Sequence, residues 1–496
     1  MSVHKRTGAW LNQDGTCQFT VWAPETSQVT LKITEPEPMD HAMQALEFGY
    51  WQTWVANVKP GTRYKFALQD GPERPDPASM HQPMGVHEAS EVVDHHAFAW
   101  TDSSWPGLPL EQYIIYELHT GTFTPQHTFE GIIQKLDYLV DLGITAIELM
   151  PVAAFPGSRN WGYDGVYPFA VQESYGGPEG LKKLVNACHV KGLAVVLDVV
   201  YNHMGPEGNY LNDFGPYFTG KYNTPWGKAL NFDDAGCDGT RNFFIQNALM
   251  WFREYHIDAL RLDAVHAIID LSAKHFLLEL AEAVNELSLE TGRKFYLIAE
   301  SDLNDVQVIN PPAKGGFGMD AQWCDDFHHA LHALTTGETD GYYEDFGKLE
   351  DLEKVFNEAF VYSGIYSAHR KKTFGSNASQ HPARQFVVCM QNHDQVGNRM
   401  LGERLPALVS FPMLKLAAAA YLLSPYLPML FMGEEYGETN PFLYFISHTD
   451  PELVKAVQEG RKKEFKAFKW AGNIPDPQSE ETFLSSCLSW NYHEGQ

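Results

Sequence analysis

Eight short apolar runs, each followed by a helical segment or a long loop, constrain the fold of this 496-residue chain more than any other feature. They are "YIIYELH" (113–119), "AIELMP" (146–151), "AVVLDVVYN" (194–202), "ALRLDAV" (259–265), "KFYLIAES" (294–301), "AQWCDD" (321–326), "FVVCMQNHD" (386–394) and "PMLFMGEE" (428–435). The runs are almost continuously apolar rather than alternating, which marks strands buried on both faces. Helical patterns such as "PEGLKKLVNACHVKG" and "RNFFIQNALMWFREYH" separate them. Repeated βα units of this kind imply a parallel sheet covered by helices. Eight of them predict a closed (β/α)8 TIM barrel, and right-handed crossovers make the closure natural. An open doubly wound sheet is the alternative. It is disfavoured because no G-x-G-x-x-G or G-x-x-x-x-G-K-[ST] loop follows the first run.

Ahead of the barrel, residues 1–105 alternate apolar and polar positions in runs such as "CQFTVWAP", "QVTLKI" and "RYKFAL", separated by turn residues such as Pro60-Gly61. That period predicts an N-terminal β-sandwich. The Pro-rich break "WTDSSWPGLPL" marks its end. The expected layout is a sandwich over 1–105, a catalytic barrel with long loop insertions over 106–466, and a carboxyl-terminal remnant over 467–496. About sixty residues separate the sixth and seventh runs, a length typical of functional insertions.

The formal net charge of −27 argues against nucleic acid and against anionic membrane surfaces as partners. A neutral polyhydroxylated ligand is indifferent to that charge. The chain's 12 Trp and 23 Tyr include faces on which sugar rings can stack, although core packing accounts for most of them. The six cysteines are scattered, with neither a C-x-x-C pair nor a zinc spacing, so free thiols in a reducing compartment are expected. "MSVHKRTGAWLNQDG" lacks an apolar signal core, which points to a cytoplasmic location. The longest apolar stretch, "LKLAAAAYLLSPYLPMLFM", contains Pro425 and Pro428. It reads as a buried helix, a turn and a buried strand rather than a membrane span. A monomer is expected.

"ALRLDAVHAI" (259–268) places Arg261 and Asp263 two apart inside an apolar run. Side chains two apart on a strand share a face, so both point into the barrel. A structural ion pair is the bland reading. The sharper one begins from four acids at the ends of barrel strands, where such folds hold their active sites: Asp198, Asp263, Glu300 and Asp394. A single acid there is as readily a helix cap or a salt-bridge partner. Four on one rim repel each other unless cations or shared protons offset them. Arg261 would keep Asp263 ionised, while desolvation would leave Glu300 with its proton at neutral pH. An ionised carboxylate beside a neutral carboxylic acid, about 5–5.5 Å apart, is what glycoside cleavage with retention requires. His203, His266 and His393 follow strand ends closely, where an imidazole can meet sugar hydroxyls. Each is as readily a packed histidine. Tyr163, in "NWGYDGVYP", is either a stacking platform for a sugar ring or a loop-packing tyrosine.

"DVVYNH" (198–203), "LRLDAVHAI" (260–268), "LIAES" (297–301) and "QNHDQVGN" (391–398) resemble, in order, the four signature regions of the α-amylase superfamily, glycoside hydrolase family 13. The resemblance implies that Asp263 is the nucleophile, Glu300 the proton donor and Asp394 the third acid, which stabilises the transition state. It makes Arg261 the arginine that contacts the nucleophile, His203 and His393 sugar-binding histidines, Tyr163 the stacking tyrosine and Asp198 a mostly architectural acid. The segments "PVAAFPGSRNWGYDGV", "GMDAQWCDDFHHALH" and "SHTDPELVKAVQEGRKKEF" are most similar to one branch of the superfamily. Its members cut the α-1,4 linkage next to the terminal trehalose unit of maltooligosyltrehalose. In that branch the stretches matching "RLDAVH" (261–266), "DDFHH" (325–329) and "HDQVGN" (393–398) line the substrate site, which adds His266, Asp325, Asp326, His328, His329, Gln395 and Asn398. Neither an organic cofactor nor a required metal is implied, and no dense acidic cage surrounds Asn202, near which some superfamily members bind calcium.

The family usually carries a further carboxyl-terminal β-domain, which is expected here to be missing or truncated. Three other readings compete. A glycogen branching or debranching enzyme shares the sandwich and all four regions. A glucan-binding protein on a degenerate barrel would not need Asp263, Glu300 and Asp394 together. A nucleotide-dependent sugar enzyme would need a phosphate-binding loop.

Overall fold

The structure, a computed structural model, describes residues 5–69, 71–465 and 474–491. Its centre is a closed barrel of eight parallel strands in chain order: Ile115–Leu118, Ala146–Leu149, Ala194–Val199, Ala259–Leu262, Tyr296–Ala299, Ala321–Trp323, Phe386–Cys389 and Leu427–Phe431. The last strand pairs with the first, Met429 opposite Ile115, so no sheet edge remains. Seven of the strands fall within their apolar runs, and the eighth begins one residue before its run, at Leu427.

The side-chain period of two organises the interior into layers. Ile115, Ala146, Val196, Ala259, Ile298, Ala321, Val387 and Met429 form one buried apolar cluster at the barrel floor. Two residues further along five of these strands come Glu117, Glu148, Asp198, Arg261 and Glu300. An ionic layer therefore rests on an apolar one. In the parallel register Glu117 lies opposite Glu148, and Asp198 opposite Arg261.

Two antiparallel sheets precede the barrel. One orders the strands Gly8–Leu11, Cys17–Trp22, Tyr50–Val55 and Gln44–Ala45; the other orders Met39–Ala42, Val29–Glu35, Arg63–Leu68 and Glu73–Arg74. They close over a shared core that includes Phe19, Leu31, Tyr64 and Phe66. The sandwich also bears on the barrel. The Trp22 ring lies so close to Gly239, on the helix Cys237–Glu254, that a β-carbon there would fall 2.0 Å from it. The connecting segment is held by a buried relay below the barrel. His189 bridges Asp102 (2.8 Å) and Asp258 (2.9 Å) and stacks on Trp105, while His256 reaches the same oxygen of Asp102.

One expectation is corrected. Residues 411–422 do form a helix before a buried strand, but the helix is not buried. Only Ala417 and Tyr421 are covered, while Phe411, Leu416 and Leu423 are exposed. The helix lies on the barrel's outer layer, where only one of its sides meets protein, and the strand that follows takes the interior position. Among the described residues no helix is long and apolar enough to cross a membrane.

Candidate active site

Arg261 organises the ionic layer. Its guanidinium is fully buried, and Nη1 donates to Asp198 Oδ2 and to Asp263 Oδ1, both at 2.8 Å. Nη2 lies 3.5 Å from Glu300 Oε2, and the guanidinium carbon sits 4.3 Å from the centre of the Trp323 ring. The ion-pair reading and the catalytic reading of "RLD" thus describe one arrangement. Asp263 also accepts from Asn202 Nδ2 at 2.7 Å. Burial alone would raise its carboxyl, but Arg261, His203 and the Asn202 amide together hold it below the usual carboxylate range.

Glu300 lies just past the neighbouring strand and behaves in the opposite way. Burial, assisted by Asp263, Asp325 and Asp394 and opposed by Arg261, pushes its carboxyl up to about 8. Its Oε2 accepts the backbone N–H of Ala264 at 2.7 Å. Ala264 takes a left-handed conformation (φ 40°), which turns the chain immediately after Asp263 and aims that N–H at Glu300. Asp198 rises to about 6 through burial, offset in part by Arg261. Asp325, the first residue of the helix Asp325–Thr336, rises to about 7 through burial and the nearby Asp394. One rim thus carries an acid held ionised and an acid holding a proton at neutral pH, a pairing suited to acid-assisted displacement at an acetal carbon.

Asp394 does not end its strand. It lies five residues beyond Cys389 on a short helix, His393–Gly397, capped by Asn392, whose side chain accepts the Gln395 N–H at 2.8 Å. Asn398 Nδ2 donates to Asp394 Oδ1 at 3.1 Å, and Gln395 stands half-buried on the same turn. Tyr163 stacks on His393, with ring centroids 5.2 Å apart, and its hydroxyl donates to Asp198 at 2.6 Å. Both nitrogens of His203 meet protein oxygens, Asn202 Oδ1 at 2.5 Å and the Tyr163 carbonyl at 3.0 Å. His203 therefore braces the asparagine that grips Asp263. His266 stands exposed on the turn just after Asp263.

Three residues of "DDFHH" are buried and make contacts within the protein. Asp326 accepts from Asn304 and from the backbone N–H groups of Val361 and Tyr362. His328 is fixed between the Met390 carbonyl and the Tyr343 hydroxyl. His329 packs among Tyr342, Tyr343 and Phe346, where burial drives its ring down to about 3. One oxygen of Asp326 and both ring nitrogens of His328 are thus already engaged by the fold. Sequence reasoning passed over other members of the site. Glu117 and Glu148 lie inside apolar runs, the same signal that marks Arg261, but short of the strand ends where such barrels hold their sites. Trp226, half exposed on a hairpin (Phe218–Leu230), stacks on His203 at 4.8 Å with the rings 8° from parallel. Among the described residues no group of three or more His, Cys, Asp or Glu is arranged to hold a metal ion.

Fold and site together define a glycosidase of the α-amylase superfamily. Residues 116–223 match the family "Alpha amylase, catalytic domain", and residues 6–78 match "Carbohydrate-binding module 48 (Isoamylase N-terminal domain)". The chain is 52% identical to the malto-oligosyltrehalose trehalohydrolase of Saccharolobus solfataricus over 98% of its length and 84% of the relative's. It is 48% identical to that of Arthrobacter ramosus, over 96% and 84%. The chain belongs to the malto-oligosyltrehalose trehalohydrolase family. A crystal structure of an alpha amylase candidate from Salmonella typhimurium superposes with a TM-score of 0.92 at 42% identity, covering 98% of this chain and 82% of that one. A pullulanase from Paenibacillus barengoltzii shares the fold at a TM-score of 0.69 and 21% identity, over 94% and 80%.

Proposed function

We propose that the protein hydrolyses, with retention of configuration, the α-1,4 bond next to the terminal trehalose of maltooligosyltrehalose and releases trehalose. The observation that carries the chemistry is the divergence of two neighbouring acids: Asp263 held ionised by Arg261 and Asn202, and Glu300 holding its proton up to about pH 8. Asp263 attacks the anomeric carbon while Glu300 protonates the leaving oxygen of the trehalose unit. Glu300, now a base, then activates the water that releases the glycosyl group from Asp263. Asp394, held on its turn by Asn398, grips sugar hydroxyls as charge develops on the ring. Tyr163 and Trp226 offer ring faces to the sugar. The choice of substrate rests on the names of the relatives at 42–52% identity.

The reading divides the chain into a sandwich over 1–105 and a catalytic barrel over 106–466. It places a monomeric enzyme in the cytoplasm acting on α-glucans. Product analysis by chromatography tests it, with maltooligosyltrehalose and a maltooligosaccharide of equal length as separate substrates. Free trehalose from the first and slow or no cleavage of the second is the expected result. New α-1,6 branches would instead align the protein with the glucan branching enzyme of Bacillus cereus, to which it is 29% identical.

A further inference from the structure

We propose that Glu117 is a positioning residue of this site: its carboxylate holds His393 as an imidazolium, whose Nε2–H fixes Tyr163 and pairs with Asp394. The role rests on the glycosidase reading above, in which Asp394 and Tyr163 meet the sugar.

Glu117 is only 1% exposed and directs both oxygens at a single residue across the barrel. Oε1 lies 2.5 Å from His393 Nδ1, and Oε2 accepts the His393 backbone N–H at 2.9 Å. One carboxylate thus clamps both the ring and the main chain at the start of the turn that carries Asp394. On the other side of the ring, Nε2 lies 2.8 Å from the Tyr163 hydroxyl and 3.5 Å from Asp394 Oδ2.

Proton accounting sets the charge of the ring. The single hydroxyl proton of Tyr163 goes to Asp198, 2.6 Å away, so the tyrosine oxygen faces His393 as an acceptor and Nε2 must donate. Nδ1 faces a carboxylate oxygen and must donate as well. A ring that donates from both nitrogens is an imidazolium. The surroundings are mixed: Asp198 and Asp263 add negative charge, Arg261 opposes a further cation, and the neighbouring His119, driven down to about 4 by burial, stands neutral. Burial pulls the ring down, but Asp394 and Glu117 outweigh it and raise His393 to about 9. Glu148, opposite Glu117 in the register, has both oxygens buried without a partner, and burial drives it strongly toward its neutral form. Glu117 is therefore the barrel-wall carboxylate that meets the imidazolium directly.

Glu117→Gln keeps an acceptor for the backbone N–H but removes the countercharge. The ring then keeps its second proton only at lower pH, dropping from about 9 to below the value near 8 at which Glu300 sets the limb, so the basic limb of kcat/KM moves toward acid by up to about 2 pH units. Glu117→Asp retains the charge and leaves the limb in place, even if kcat falls. A purely structural role would lower kcat without moving the limb, and an unmoved limb in Glu117→Gln would overturn the proposal. Should that variant not fold, wild-type protein labelled with 15N-histidine gives the answer directly, its resonance assigned by loss in His393→Gln. Both nitrogens protonated at pH 7.5 is the expected state, and a neutral tautomer there refutes it. Failure of the wild type to cleave maltooligosyltrehalose would sink the glycosidase reading alone, because the nitrogen shifts report the ring whatever the reaction.

Discussion

At the scale of single residues, two carboxyls on adjacent strands separate because their surroundings differ. Asp263 receives a full guanidinium bond and an amide, whereas Glu300 receives one backbone N–H, a guanidinium nitrogen at 3.5 Å and three acidic neighbours. A donor with its carboxyl at about 8 carries its proton below that pH and loses it above. Activity should therefore fall as pH rises through about 8. Glu300→Gln should lower kcat by roughly 10²–10⁴-fold and remove the limb near 8, leaving the residual activity to fall only as His393 loses its proton near 9. Full turnover in the variant would remove Glu300 from the role of donor. The acids at strand ends were legible in the sequence because a charge at the edge of an apolar run has few uses other than a cap or a site. Glu117 and Glu148 were equally visible as letters, but their meaning depends on which residue lies across the barrel, and only tertiary contact supplies that.

At the scale of elements, the short helix His393–Gly397 sets where Asp394 stands, and its packing sets the helix. A β-carbon at Gly397 would lie 2.2 Å from the Trp161 ring. That ring cannot easily retreat, since it stacks on Phe442 at 5.1 Å and donates to the Leu443 carbonyl at 2.9 Å. Gly397→Ala should displace the turn, lowering kcat and destabilising the protein by about 1–3 kcal/mol in urea unfolding. Wild-type kcat would show that the turn adapts. All eight strands could be read from sequence because both of their faces are buried, leaving an unbroken apolar signal. Direction along a helix is harder to read. "DDFHH" offers five polar or aromatic residues on one turn and a half, and only the packing against Tyr343 and residues 361–362 decides that Asp326 and His328 face inward. The helix at 411–422 misleads for the converse reason, since apolar composition does not say whether a partner covers it.

At the scale of the whole molecule, sandwich and barrel share contacts that resemble a core more than a hinge. Trp22 of the sandwich lies flush against Gly239 and edge-on to Tyr217, with ring centroids 4.9 Å apart. Tyr50 accepts from Asn242 on the same barrel helix at 2.8 Å. Below, Asp102 of the connecting segment is tied to His189 and His256, and through His189 to Asp258, so the segment is not a free linker. Units joined by a wet, polar interface unfold separately, whereas units sharing buried aromatic surface lose stability together. Calorimetry should therefore show one transition spanning sandwich and barrel. Gly239→Ala places a methyl where the Trp22 ring now sits, an overpacking that costs about 1–3 kcal/mol. The whole transition should move to lower temperature without splitting, because strain at that contact falls on both units at once. Two resolved transitions in the wild type would show instead that the sandwich is a separable module. A single transition unmoved by Gly239→Ala would place the coupling in the Asp102–His189 relay rather than in the aromatic contact.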